Sequence, residues 1–252
     1  MGATLPHGVH GTGPRHVVAL HGWLSDRHAF DELVRWLPEE QFTLVAPDIR
    51  GYGEAIDVPG EFTIGEVATD TIALVDALGW DDFSVVGHSM GGKAAQKIVA
   101  LAPERVRRVV GISPVPASGT GFDEPTAALF RSAIDSPQVR RGILDHGTGG
   151  RYHDAWLDRM VEHSWKRSTP EAFASYLASW SAEDFHAEVV GTPTPFKIVV
   201  GAHDPDLSAA AMSATVLQWF PQAELDVFAD AGHYAIDETP IALAAVVHRF
   251  LT

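Results

Sequence analysis

Three residues of this chain have the types that nucleophilic acyl chemistry needs, and they occur in the order Ser89, Asp204, His233. A serine hydroxyl near its ordinary pKa is a poor nucleophile and needs a base to take its proton. An imidazole serves when a carboxylate holds it in the correct tautomer. Ser89 lies in Gly87-His88-Ser89-Met90-Gly91, which fits G-x-S-x-G, the nucleophile elbow. Glycines on both sides let the backbone turn sharply and hold the hydroxyl out from a strand end. Gly201-Ala202-His203-Asp204 puts an acid just beyond an apolar run, and Ala231-Gly232-His233-Tyr234 places a histidine in the same way.

These residues need a scaffold, and the sequence predicts one. Phe83-Ser84-Val85-Val86 reads as a buried strand entering the elbow, and Ala94 to Leu101 as the helix leaving it. That helix aims its free N–H groups at any oxyanion beside Ser89. A rival reading takes Gly87-x-x-x-x-Gly92-Lys93 as a phosphate loop, with the chain binding a nucleotide. It fails at Ala94, where such a loop needs a hydroxyl for Mg²⁺.

Further strands are expected at His16–Leu20, Phe42–Pro47, Val106–Ile112, Pro195–Gly201 and Ala223–Ala229. Helices are expected at Ala29–Leu37, from Thr63 to Gly79, at Ala209–Phe220 and at Pro240–Leu251. Residues 1–15 read as loop with at most one short strand. Apolar strands alternating with helices indicate a parallel sheet covered on both faces. Between Val115 and Thr192 the pattern changes to short helical pieces alone: Asp123–Ile134, Pro137–His146, His153–Arg167 and Pro170–Trp180. The expected organisation is a core of residues 1–114 and 193–252 with a helical cap at 115–192.

At 252 residues, 46% hydrophobic, the chain suits one large α/β domain with an insertion. No apolar run is long enough to span a bilayer and no signal-peptide core opens the sequence, so a cytoplasmic protein is expected. A formal charge of −15 argues against nucleic acid and anionic membrane as partners. There is no cysteine. The thirteen histidines lack metal-ligand spacing and read as scattered surface or loop residues, so no metal or other cofactor is expected.

Taken together, His21-Gly22-Trp23, Asp48-x-Arg50-Gly51-x-Gly53, Gly87-His88-Ser89-Met90-Gly91-Gly92, Gly201-x-x-Asp204 and Ala231-Gly232-His233 resemble the motifs of the α/β-hydrolase fold, from His16 to the end of the chain. The resemblance implies a mostly parallel sheet of six to eight strands, few residues being left before His16. It implies Ser89 as nucleophile, His233 as base and Asp204, which fits Gly-x-x-Asp better than Asp206 does, as the acid. The backbone N–H groups of Trp23 and Met90 would form the oxyanion hole, His21 and Gly22 would shape the turn before Trp23, and Asp48 and Arg50 would tie a loop. His88 reads as a packed or hydrogen-bonded neighbour. Trp156, Trp165 and Trp180, with Phe173 and Tyr176, are candidates to roof an apolar pocket.

The expected function is a carboxylesterase or lactonase acting on a small to medium ester. The elbow is also similar to that of cofactor-free haloperoxidases, which use the same triad with peroxide in place of water. A carbon–carbon bond hydrolase and a small-molecule receptor are the other readings, and the oligomeric state is left open.

Overall fold

The apolar runs become the strands of one sheet in the structure, a computed structural model that describes residues 4–252. Its strands are β1 (His7–His10), β2 (Arg15–Leu20), β3 (Phe42–Pro47), β4 (Phe83–His88), β5 (Val106–Ile112), β6 (Phe196–Gly201) and β7 (Ala223–Phe228). They lie in the order β1-β3-β2-β4-β5-β6-β7. All neighbours pair in parallel except β1, which runs antiparallel to β3 at the edge. Seven strands agree with the expected range, and among the described residues β1 is the one short strand ahead of Arg15.

Helices cover both faces, so the central strands are apolar without alternation. In β2, Val18 and Leu20 enter one core while Val17 and Ala19 enter the other. β4 is buried at all six positions. The first core packs against α2 (Ile64–Ala77) and α3 (Met90–Leu101), the second against α1 (Asp31–Val34) and the C-terminal helix. From β2 the chain moves outward to β3, then crosses back to β4 on the other side of β2. The loops leaving β2 and β4 therefore diverge, which opens a crevice at the carboxyl ends of the strands.

Four helices fill the interval between β5 and β6: α4 (Glu124–Ser132), α5 (Pro137–Gly147), α6 (Asp154–Lys166) and α7 (Pro170–Ala182). Asp123, Ser136 and Thr169 cap three of them, each with a proline in the first turn. The interval is fastened to the strand-end loops by buried polar groups. The Trp23 indole N–H donates to the Phe173 carbonyl at 2.8 Å. Asp26 meets Arg167 at 2.7 Å and His163 at 3.1 Å. Lys93 donates to the carbonyls of Trp180 and Glu183 at the end of α7. Burial holds that ammonium down at about 8, its hydrogen bonds going to carbonyl oxygens rather than to a carboxylate.

After β6 come α8 (Ala209–Ala214) and α9 (Val216–Trp219), and after β7 come α10 (Ala235–Glu238) and α11 (Pro240–Leu251). Three expectations need correction. The helix at Ala29–Leu37 is a 3-10 turn, Arg27–Phe30, capped by Asp26 and followed only by the short α1; Pro38 disfavours helical backbone at Leu37. The helix at Ala209–Phe220 breaks at Thr215 (φ −129°, ψ −97°), whose hydroxyl bonds back to Ala211. The short α10 was not expected.

Candidate active site

Ser89 sits between β4 and α3 with φ 54° and ψ −114°. Positive φ is unfavourable for a residue with a Cβ and costs about 1–3 kcal/mol. The surrounding bonds impose it: the Ser89 N–H donates to Ile112 at 2.9 Å, and its carbonyl accepts from Gly92 at 2.9 Å and Val115 at 3.1 Å. The strain is on the serine itself. The neighbouring glycines are there for close approach, since a Cβ on Gly91 would lie 2.1 Å from the Leu20 carbonyl oxygen, and one on Gly87 would lie 2.4 Å from that of Gly91.

The turn after β2 passes directly beside Ser89: a Cβ on Gly22 would lie 3.3 Å from that of Ser89. His21 shapes this turn. Its Nε2 accepts from the Ile49 N–H at 3.1 Å, so Nδ1 carries the proton and donates to the Gly22 carbonyl at 2.9 Å. Burial keeps this imidazole neutral. The N–H groups of Trp23 and Met90 have no acceptor among the described residues, as donors reserved for a ligand would require. Asp48 accepts from the Arg27 and Glu54 N–H groups at 3.0 and 2.8 Å, and Arg50 pairs with Asp70 at 2.6 Å. Both tie the loop after β3 rather than face the cavity.

Asp204 follows β6 and is 4% exposed. One carboxylate oxygen accepts from the N–H groups of Asp206 and Leu207, at 3.1 and 2.9 Å; the other accepts from His233 Nδ1 at 2.8 Å. Burial alone would raise the Asp204 pKa, but the His233 charge and these bonds outweigh it and hold it below the usual range. For His233, burial pushes the pKa down while the Asp204 charge and hydrogen bond raise it, with a net shift above 6.5. Asp206 points elsewhere: its half-exposed carboxylate lies 3.4 Å from His146.

Ser89, Asp204 and His233 line a single cavity of about 1380 Å³, with Trp23 at one side. Phe122, Leu129 and Phe130 contribute from the α4 side, Ile143 and His146 from α5, Trp180 from α7, and Leu207 and Ala211 from the segment after Asp204. Among the described residues its wall includes Asp123 and Asp206 but neither Lys nor Arg. Of the three tryptophans expected to roof it, Trp180 does line it and packs on Trp23 and Phe130. Trp165 is placed differently. It is 42% exposed, stacks over the Arg140 guanidinium and borders a separate surface groove. Trp156 sits against Tyr152 and Tyr234, outside the lining. Phe173 and Tyr176 are wholly buried, and Phe173 stacks under Trp23.

His21 and His88, read in the sequence as a turn-shaping residue and a packed or hydrogen-bonded neighbour, lie in this region together with Lys93. The histidines are not all surface residues: His21 and His88 are both buried. Burial and the neighbouring His233 hold His88 down to about 3, so it stays neutral. Lys93 donates to the carbonyls at the end of α7 instead of standing free for a phosphate. Among the described residues no three or more His, Asp or Glu side chains gather as a metal site would require.

A strained serine on a strand-to-helix turn, a buried Asp–His pair and two free amides define the class, and comparison with known proteins agrees. A profile of the α/β hydrolase fold matches residues 15–240, and the chain belongs to that family of hydrolases. It is similar to Esterase YbfF of Escherichia coli, 26% identical over 93% of this chain and 92% of the relative. It is also similar to 2-hydroxymuconate semialdehyde hydrolase of Pseudomonas putida, 26% identical over 96% of this chain and 85% of the other. Among solved structures, a hydrolase from Oleispira antarctica has the same fold, with a TM-score of 0.87 at 17% identity over 97% of this chain and 93% of that one.

Proposed function

We propose that the protein is a serine hydrolase that cleaves a small to medium apolar carboxylic ester or lactone through an acyl-enzyme on Ser89. The observation that carries this reading is the 2.8 Å bond from His233 Nδ1 to Asp204. It leaves Nε2 as the free base nitrogen in the cavity that also holds Ser89. Ser89 Oγ attacks the carbonyl carbon as His233 takes its proton, and the imidazolium is stabilised by Asp204. The Trp23 and Met90 amides receive the oxyanion. Collapse of the tetrahedral intermediate breaks the acyl–oxygen bond, and His233 returns the proton to the departing alcohol. Water, activated by the same imidazole, then releases the acid.

In this reading residues 115–192 act as a cap over a core of residues 1–114 and 193–252, and the aromatic wall holds the apolar part of the substrate. With Asp123 and Asp206 in its wall, the cavity favours neutral substrates over carboxylate-bearing ones, as an uncharged ester or lactone would be. Perhydrolysis would need only peroxide in place of water. The test is a fluorophosphonate probe together with a panel of p-nitrophenyl esters and lactones. One adduct per chain, at Ser89, with turnover abolished in Ser89→Ala, is the expected result. Labelling that persists in Ser89→Ala would move the nucleophile, while ligand-induced thermal stabilisation with negligible turnover would make the protein a receptor.

A further inference from the structure

Glu238 is a buried carboxylate that the chemistry above leaves unused. It ends α10, five residues past His233, and its side chain has no solvent exposure. One oxygen accepts from the Gly232 N–H at 2.8 Å and the other from the Tyr234 N–H at 3.0 Å. The two amides that bracket His233 therefore share one carboxylate. The remaining backbone groups of His233 are engaged as well. Its N–H donates to the Gly147 carbonyl at 2.8 Å, and its carbonyl accepts from His88 Nε2 at 3.0 Å. Glu238 finds its counter-charge in Arg151, at 2.9 Å, which also reaches the Asp230 carbonyl.

We propose that Glu238 is the positioning residue of the base, fixing the backbone on both sides of His233 so that its imidazole keeps its bond to Asp204 and its place in the cavity that Ser89 also lines. The proposal rests on the reading of His233 as the base. A rigid carboxylate clamp suits this task because a base displaced by about 1 Å loses on the order of a hundredfold in rate. Charge-assisted bonds to N–H groups are roughly twice as strong as neutral ones. Gly147 ends α5 and Arg151 follows it, so the same clamp joins the helices between β5 and β6 to the base. A carboxylate that merely capped α10 would leave catalysis untouched, which makes the two roles separable.

The experiment compares wild type with Glu238→Gln, which keeps the shape, loses the charge and turns an amide group toward one of the two N–H donors. The groups that act electrostatically on His233 are Asp204, Asp206 and Glu238, with neutral His88 alongside. Glu238 raises the His233 pKa, so its neutralisation moves the acid limb of kcat/KM to lower pH. The expected result is a fall in kcat of about 10–100-fold, KM changed by much less, and the His233 ring titrating at lower pH by NMR, assigned with His233→Ala. Glu238→Asp keeps the charge but is too short to reach both amides; it should lower kcat without moving the titration. A Glu238→Gln protein with wild-type kcat and an unmoved titration, only less heat-stable, overturns the proposal in favour of a helix cap. If Glu238→Gln does not fold, wild-type kcat in Glu238→Asp overturns it equally. The NMR titration does not depend on turnover, so a wild type that neither labels nor hydrolyses esters would instead sink the reading of Ser89 and His233 as catalytic.

Discussion

Two helices flank the cavity and are built in opposite ways. α3, whose N-terminus follows Ser89, has nine of its twelve residues buried. α4, across the cavity, has none of its nine buried, and its Leu129 is 52% exposed while facing the cavity. α3 cannot shift without disturbing the sheet and the packing of both cores' shared strands. α4 is held by its caps, by Phe130 in the aromatic wall and by an exposed Arg131–Glu124 pair of little worth. Elements with few buried contacts open at low free energy. In the proposed reading the nucleophile thus stands at the start of a firmly packed helix, while part of the wall that would meet the variable part of a substrate stands on a loosely packed one. Specificity can change there without touching the chemistry.

That division is broken most sharply at the acid. Asp204→Asn keeps the shape of the loop but lets the imidazole adopt the wrong tautomer, and should lower kcat by up to ~10⁴-fold. Asp206→Asn, two residues on, removes only a half-exposed pairing with His146 and should stay within about threefold. Steady-state kinetics on one short ester decide it. The reverse ranking would give the acid's role to Asp206 and detach His233 from its observed partner.

A smaller effect is expected from pH. The base must be neutral to take the serine proton, and the net shift of His233 is upward from 6.5. Activity should therefore fall on the acid side through an apparent pKa above that value, about tenfold per pH unit below it. In Asp204→Asn the residual activity should show the limb moved down. Stability has its own sign. The raised His233 contributes fully below its unfolded value of 6.5 and loses this as pH rises through its folded pKa. The lowered Asp204 contributes fully above 3.8 and loses this as pH falls through its folded pKa. The thermal destabilisation of Asp204→Asn should thus be largest between pH 3.8 and 6.5 and shrink in alkali. A limb at or below 6.5 in the wild type would mean that burial outweighs the Asp204 charge.

Much of the rigid half was legible in the sequence, and little of the looser half was. Strands buried on both faces leave unbroken Val, Ile and Leu runs, and the elbow needs glycines where backbones nearly touch; both signals are local. The turn after β2, beside Ser89, was approached through His21-Gly22-Trp23 for the same reason. Trp165 was not legible because α6 carries aromatic residues on more than one face, and periodicity cannot say which face meets the cavity. Arg140 shows the opposite failure: a charged residue that composition would put outside is 2% exposed, spread over the Phe173 ring and held by Ser164 and the Ala133 carbonyl. Glu238 escaped because its signal is a side chain reaching back to backbone amides, and no spacing rule for a triad includes it.

The finest test concerns the wall itself. Each methylene of an acyl or alcohol chain buried against Trp180, Phe122 or Leu129 contributes roughly 0.8 kcal/mol, about fourfold in affinity. Shortening the wall should therefore act in proportion to chain length and hardly at all on an acetate, which does not reach it. Trp180→Ala removes an indole that also packs on Trp23, next to one of the free amides, so it should reorder the series from acetate to octanoate with some loss throughout. Leu129→Ala lies on the exposed helix and should change only the longer members, by no more than about fourfold per methylene lost from contact, leaving Tm nearly unaltered. Trp165→Ala, on the far face of α6, should leave the profile unchanged. Measuring kcat/KM across the series for all three variants separates these outcomes. A chain-length change in Trp165→Ala, with none in Trp180→Ala or Leu129→Ala, would mean that substrates lie along the surface groove beside α5 and α6 and that the division between a rigid floor and a loose wall is drawn in the wrong place.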